Sequence, residues 1–406
     1  MALLLITTQT CFGQDCETVA RNKKSEHVRF PDHTSSNGSK PTFSKAAVTP
    51  RLAKAESWIK AVLNNYTGAE LAFSNNIVFD EYSDHWKDQS EATGIKGFYY
   101  SQMRFYGYYC AGNKLDKEGE SGSAVMIKFN NFSGGCCKQS LIIDGLGNKV
   151  INGKPIFRIY EKKSEQGRID FYERMFQLDV RDTIWGSKAD YYIIRNSDKP
   201  FFIPLTRKEY LGQVLKDIDS SRAFRIATSK QMFNPKNEAA NKAKFDAELA
   251  RIDNSKMYTK EQMAPYRKRF IETWETEQQK LDKELSKIEA DTKGAKETVL
   301  EYMKRPEEWL SRTVKNSYSN FVYSAQALKL YLDDLDVVRY KPEEETATLL
   351  VYVNPNYYNK SLSPDVPQMI FVQVGKNGYR HMKRVAELMK QPGVFAPLEA
   401  LLTPGK

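Results

Sequence analysis

The chain has 406 residues, of which 41% are hydrophobic and 12% aromatic, and a formal net charge of +10. Its mean hydropathy of −0.60 argues against a membrane-embedded protein. The only apolar run near the start, Ala2 to Thr8, is too short to span a bilayer. The basic balance does not point to nucleic acid either. Arg267-Lys268-Arg269 and Lys162-Lys163 are the densest basic clusters; both have acidic neighbours, and no basic stripe or known module is present.

Ala2-Leu3-Leu4-Leu5-Ile6 reads as the apolar part of a signal peptide. Cys11-Phe12-Gly13 sets small residues at −3 and −1 of a cut before Gln14, although no basic residue precedes the run. Residues 1–13 are therefore expected to be a signal remnant, and the protein to be secreted or periplasmic. Residues 14–50 are too polar to offset their ordering entropy and are expected to form a flexible leader. With Cys11 removed, Cys16, Cys110, Cys136 and Cys137 remain, an even set suited to disulfides in an oxidising compartment. Adjacent cysteines rarely bond each other, so Cys110 is expected to join Cys136 or Cys137, with Cys16 taking the other. Cys136-Cys137 lacks CxxC spacing and a nearby histidine, so no metal site and no cofactor are expected.

Residues 51–230 read as an α+β domain. Leu52, Ala55, Ile59, Val62 and Leu63 repeat at helical spacing over Arg51 to Asn64, and Trp58 widens that face. From Leu71 to Tyr160 the texture becomes short aromatic and β-branched runs broken by glycine, as in an antiparallel meander. The strand candidates are Ile77-Val78-Phe79, Phe98 to Tyr109, Ala124 to Phe129, Ser140 to Asp144 and Pro155 to Tyr160. Asp144-Gly145 and Asn152-Gly153 supply hairpin turns. Tyr191 to Arg195 is expected to turn at Asn196 to Lys199 and return as Phe201 to Leu205. Thr206-Arg207-Lys208-Glu209 then forms a capping box that opens a helix.

Residues 236–304 are rich in Glu, Lys, Ala and Gln and are expected to form a charged helical hairpin projecting from the body. Thr259-Lys260-Glu261-Gln262 is a second capping box. Tyr266, Phe270, Trp274, Gln278, Leu281, Leu285 and Ile288 trace a narrow seam, as in a short coiled coil. Pro306 restarts a short helix. Strands at Ala347 to Asn354 and Gln368 to Val374, then a helix from Tyr379 to Lys390, follow. Residues 315–406 thus either complete the first sheet or form a second small α+β lobe. The fold class expected is α+β, an antiparallel sheet packed on helices with a long helical hairpin.

Three segments together carry a resemblance. They are the signal remnant ending before Gln14; Asp198-Lys199-Pro200-Phe201-Phe202-Ile203-Pro204-Leu205-Thr206-Arg207-Lys208-Glu209-Tyr210-Leu211; and Val353-Asn354-Pro355-Asn356-Tyr357-Tyr358 through Pro367-Gln368. In these segments the chain resembles exported proteins of unknown function common in Bacteroidota-type bacteria. The resemblance implies export and an envelope setting and brings no catalytic residues.

The candidate chemistry is sparse. Asp80, Asp84 and His85 lie in the densest polar stretch, where carboxylates beside a histidine suit a divalent metal or a general base. On a strand, however, Asp80 and Asp84 face away from His85. Arg207 and Lys208 at a helix start would suit an anion, although the capping box already accounts for their neighbours. The aromatic run Phe98-Tyr99-Tyr100, Phe105-Tyr106, Tyr108-Tyr109 suits a core better than a sugar-binding surface. No nucleophile elbow, P-loop or GxGxxG motif occurs. The reading favoured is an exported binding protein rather than an enzyme, contacting an unknown protein or envelope component through its arm. The competing reading is an envelope- or polysaccharide-directed hydrolase.

Overall fold

A computed structural model describes residues 15–35, 42–79, 93–119, 123–132, 137–139, 150–151, 153–160, 162–174, 189–232, 239–314, 328–329, 332, 348–375 and 380–402. The chain divides into two compact units, one of residues 1–140, 154–204 and 339–406 and one of residues 141–153 and 205–338. The fold is α+β.

The first unit opens with helix α1 (Cys16–Asn22), strands β1 (His27–Arg29) and β2 (His33–Ser35), and helix α2 (Lys45–Val62). Ser44 caps α2 by accepting a hydrogen bond from the Ala47 amide. The remaining strands of the unit are β3 (Ala69–Val78), β4 (Phe98–Ala111), β5 (Lys114–Lys117), β6 (Ser123–Phe129) and β7 (Cys137–Gln139). After β8 (Val150–Ile151), which belongs to the second unit, come β9 (Lys154–Tyr160), β10 (Lys162–Gln166), β11 (Ile169–Arg174), β12 (Ala189–Arg195) and β13 (Phe202–Pro204). The second unit then contributes helices α3 (Arg207–Met232), α4 (Ala239–Asp253), α5 (Lys260–Met303) and α6 (Glu307–Leu310). The chain re-enters the first unit with β14 (Thr348–Val353), β15 (Met369–Gly375), and helices α7 (Arg380–Met389) and α8 (Ala396–Glu399).

One sheet runs β1-β3-β4-β6-β15-β12-β11-β10, with β2 also on β3 and β5 on β4. Its ladders are antiparallel except where β1 and β2 lie parallel to β3. A second, antiparallel sheet runs β13-β14-β9-β7. Successive side chains on a strand face opposite ways, and the central strands use both faces. Tyr192, Ile194, Ile370, Val372 and Val374 enter a core shared with Leu52, Trp58 and Ile59 of α2 and Val385 and Met389 of α7. Tyr191, Ile193, Met369 and Phe371 enter another with Phe157, Ile159, Val351 and Phe202 of the second sheet. The first sheet is therefore the middle layer, with helices on one face and the second sheet on the other. The almost wholly apolar β15 is what burial on both faces requires.

The polar loop before β15 is fixed by Asn130, a non-glycine residue at φ 54° and fully buried. Asparagine tolerates this left-handed backbone better than most residues. Its amide nitrogen donates to the carbonyls of Pro364 (3.1 Å) and Val366 (2.8 Å), while its oxygen accepts from the Gln368 and Met369 amides. From the helix side, Arg51 forms an ion pair with Asp365 at 3.0 Å, and the Tyr99 hydroxyl donates to the Asp365 carbonyl. Tyr99 and Phe105 of the aromatic run lie in the core, Tyr99 stacked on Phe129 at 4.6 Å.

In the second unit α5 runs antiparallel to α3 and α4 in turn. Arg222–Glu289, Arg225–Asp291 and Lys296–Asp219 link α3 to the inner half of α5. Tyr210, Leu211, Val214 and Ile218 of α3, with Leu281, Ile288, Ala295, Val299 and Tyr302 of α5, are buried there. Farther out, Phe245 of α4 stacks on Phe270 (5.0 Å) and Trp274 (4.1 Å).

Several expectations are corrected. Part of the supposed leader, residues 14–50, is built into the fold: α1 is tied to β4 by the Cys16–Cys110 disulfide, and β1 and β2 extend the sheet through backbone bonds that a polar sequence makes as well as an apolar one. Cys110 thus pairs with Cys16, not with Cys136 or Cys137, because β4 passes beside α1. β12 and β13 are not a hairpin but join different sheets. The reason is Arg195, whose guanidinium donates to the carbonyls of Ser197, Asp198 and Lys199 and holds the intervening turn open. Within the second unit, α3 packs with α5. Within residues 315–406, β15 completes the first sheet and β14 the second.

The disulfide closes a sequence separation of 94 residues. Replacing both Cys16 and Cys110 by serine is expected to cost about 2–5 kcal/mol in urea unfolding, and reductant to produce the same loss in the parent chain. A second outcome concerns Asp365. Burial raises its pKa, but hydrogen bonds from Ser363 and Arg51 and the Arg51 charge outweigh this and hold it below the usual carboxylate range. The ionised form therefore stabilises the fold above the unfolded pKa, and that contribution is lost as pH falls through the lowered folded value. Asp365→Asn is expected to cost roughly 1–2 kcal/mol at pH 7, the gap from the parent narrowing progressively below about pH 4.

Candidate functional site

Asp80, Asp84 and His85, on which the hydrolase reading rests, lie outside the described residues. So does Cys136, while the backbone of Cys137 lies in β7. Among the described residues no group of three or more His, Cys, Asp or Glu is placed to hold a metal ion.

The Arg207 and Lys208 pair is brought together in sequence but not as an anion site. Arg207 is 1% exposed, its guanidinium carbon over the Trp309 ring 4.4 Å from the centroid. Lys208 points outward and pairs with Glu307 at 3.2 Å. Their neighbours form the expected capping box: the Thr206 hydroxyl accepts from the Glu209 amide at 3.2 Å, and the Thr206 amide donates to the Glu209 carboxylate at 3.0 Å.

Sequence reading did not single out the buried charges around Arg195. Its guanidinium meets Asp170 at 3.2 Å and Glu165 at 2.5 Å, and Lys162 bridges the same two carboxylates. Burial pushes the Asp170 carboxyl up against the opposing pull of Arg195 and Lys162, while the hydrogen bond from Lys162 pulls Glu165 down. Two carboxylates driven apart in this way can divide acid and base roles. Here the remaining Arg195 donors reach backbone carbonyls, so the cluster serves as a clamp on two turns. Each residue alone resembles an ordinary surface charge, which is why no sequence signal marks them.

A cleft of about 460 Å³ lies beside this clamp, between β10, β11, β12 and the segment joining α7 to α8. Ile169, Phe171, Tyr192, Met389 and Phe395 wall it, and the Lys390 ammonium sits 5.4 Å from the Phe171 ring centroid. It is the open margin of the helix-side core. Its ionisable lining groups are Tyr192, Lys390 and Glu399, with no histidine or cysteine among them. It would accept an apolar group and presents no nucleophile with an adjacent base.

The most distinctive surface is the turn end of the helical hairpin. The expected seam holds through Phe270, Trp274, Leu281 and Ile288, but its first member, Tyr266, falls outside the packing and is 52% exposed. Met257 and Tyr258, in the turn between α4 and α5, are 85% and 57% exposed. These three lie within two helical turns of Thr259. Over residues 253–269 the chain carries five basic residues against two acidic ones, net +3. Arg267 pairs with Asp253 at 2.7 Å and Lys268 with Glu272 at 3.8 Å. Among the described residues, Lys256, Lys260 and Arg269 have no carboxylate within ion-pair distance, whereas Arg222, Arg225 and Lys296 are each paired between α3 and α5.

The turn is held by the Thr259 capping box. The Thr259 hydroxyl accepts from the Gln262 amide at 3.4 Å, and the Gln262 side chain accepts from the Thr259 amide at 2.9 Å. Pro265 removes the donor that the Glu261 carbonyl would otherwise use, so the first turn of α5 leans on that cap. Thr259→Ala is expected to cost about 1 kcal/mol locally. Amide exchange over residues 262–266 should then accelerate roughly fivefold, with the Leu281–Tyr302 amides unchanged.

No family model matches the chain, and no curated protein and no solved structure matches it.

Proposed function

We propose that the protein is an exported interaction protein, secreted or periplasmic, that meets a protein partner or an envelope component through the turn end of its helical hairpin. The observation that carries this reading is the placement of Met257, Tyr258 and Tyr266, large apolar side chains left in water at the end of a long stem. Such a cluster is costly to leave solvated on an unpartnered surface. α5 alone has 44 residues, a helix of roughly 66 Å. Its inner half is braced by α3, so the turn is presented on a supported element rather than on a loose loop. The Cys16–Cys110 disulfide supports export, because such bonds persist in oxidising compartments. No helix among the described residues is long and apolar enough to cross a membrane.

Excising all of 236–304 would strip α3 of its packing partner, so the test uses the full chain. A photoreactive residue placed at Tyr258 in producing cells is expected to give a discrete cross-linked species. The same residue at Lys283, exposed on the stem, is expected to give none. Equal adducts at both positions, or none at either, would sink the proposal.

A further inference from the structure

We infer that the turn end of the hairpin binds the surface of a bilayer containing anionic lipids. This rests on the interaction reading above and names the component it meets. Three observations converge. First, Lys256, Lys260 and Arg269 carry positive charge with no carboxylate partner among the described residues, within a stretch of net +3. An anionic headgroup layer supplies the missing counter-charge. Second, Met257 and Tyr258 stand beside Lys256 and Lys260 and are the most exposed apolar side chains of the turn. An acidic protein surface would satisfy the cations and leave these two wet. The headgroup boundary takes both, since tyrosine sits well where one end is apolar and the other hydrated, and lysine stems bury while their ammonium groups stay at the phosphates.

Third, positive charge is concentrated toward the turn. α3 and residues 282–303 of α5 together carry ten basic and nine acidic residues, net +1 over 48 residues, against net +3 over the 17 residues 253–269. The excess is therefore densest at the end where Met257 and Tyr258 are exposed. A surface so mixed, with few apolar residues and several cations, binds at the interface plane rather than inserting across it.

The test is sedimentation of the full, oxidised chain with large vesicles, either neutral phosphatidylcholine or the same lipid with about 30% phosphatidylglycerol. The protein is expected to pellet with the anionic vesicles and not with the neutral ones, and to be released as salt is raised. The Lys256→Glu/Arg269→Glu double variant should weaken binding by about tenfold or more, as should Met257→Ser/Tyr258→Ser. Lys283→Glu on the stem should change it little. Circular dichroism of each variant must match the parent, because these side chains make no buried contacts. Equal pelleting with both lipids, no pelleting, or indifference to both turn variants would overturn the inference. If pelleting is absent but the Tyr258 cross-link still forms with a protein, the lipid assignment falls and the interaction reading stands. If both fail, both fall.

Discussion

The structure depends on the adjacent strands β12 and β15 having no solvent face. A strand points alternate side chains to opposite sides, and here both sides are apolar: Tyr192, Ile194, Ile370 and Val372 toward the helices, and Tyr191, Ile193, Met369 and Phe371 toward the second sheet. A pair built this way must lie in the middle of three layers. Helices α2, α7 and α8 then occupy one face, and β13, β14 and β9 the other. Each fully buried side chain of this size contributes roughly 1.5–3 kcal/mol, so shifting the register by one residue, which exchanges the two faces, is resisted along the whole strand.

That constraint explains the polar devices around the strand ends. At one end Arg195 gathers the carbonyls of Ser197, Asp198 and Lys199 with the carboxylates of Asp170 and Glu165, so the chain can leave one sheet for the other without stranding backbone acceptors. On the same side Phe201 packs edge-on against Tyr357 at 5.0 Å, and the Tyr357 hydroxyl donates to the Gln368 carbonyl while accepting from the Asn196 amide. The segments 198–204 and 353–368 thus meet in one joint. Their distinctive residue choices serve packing there.

The helical unit follows a different economy of contacts. Its inner half is a true two-helix seam, with buried aliphatics flanked by cross-helix ion pairs that are individually weak and screened. Toward the turn the seam reduces to the stack of Phe245 on Phe270 and Trp274, and beyond it the apolar side chains stand in solvent. A stem that grows less buried toward its end keeps that end free to meet a surface while the base remains ordered. The Thr259 capping box compensates locally for the helix bond that Pro265 removes.

The sequence by itself determined the elements whose signal is local. The two capping boxes at Thr206 and Thr259 formed as spaced, since the side chain and the amide it satisfies are three residues apart. The 3.6-residue stripe from Phe270 to Ile288 followed from periodicity, and strands β4, β6, β12 and β15 from short β-branched and aromatic runs, signals that are set before any tertiary contact forms. Tertiary structure decided what depends on residues distant in sequence. Asp170 and Arg195, 25 positions apart, are ordinary surface charges until β11 and β12 pair. The Cys16–Cys110 bond and the parallel strands β1 and β2 ordered part of a segment whose composition alone reads as flexible. The helix after Thr206 was legible, but its partner was not, because an apolar stripe specifies only that it be covered. Tyr266 marks the limit from the other side: it continues the stripe in sequence yet lies exposed, although the last turn of α4 reaches its level through the Asp253–Arg267 pair, because spacing along one helix does not fix which of its side chains the facing helix covers.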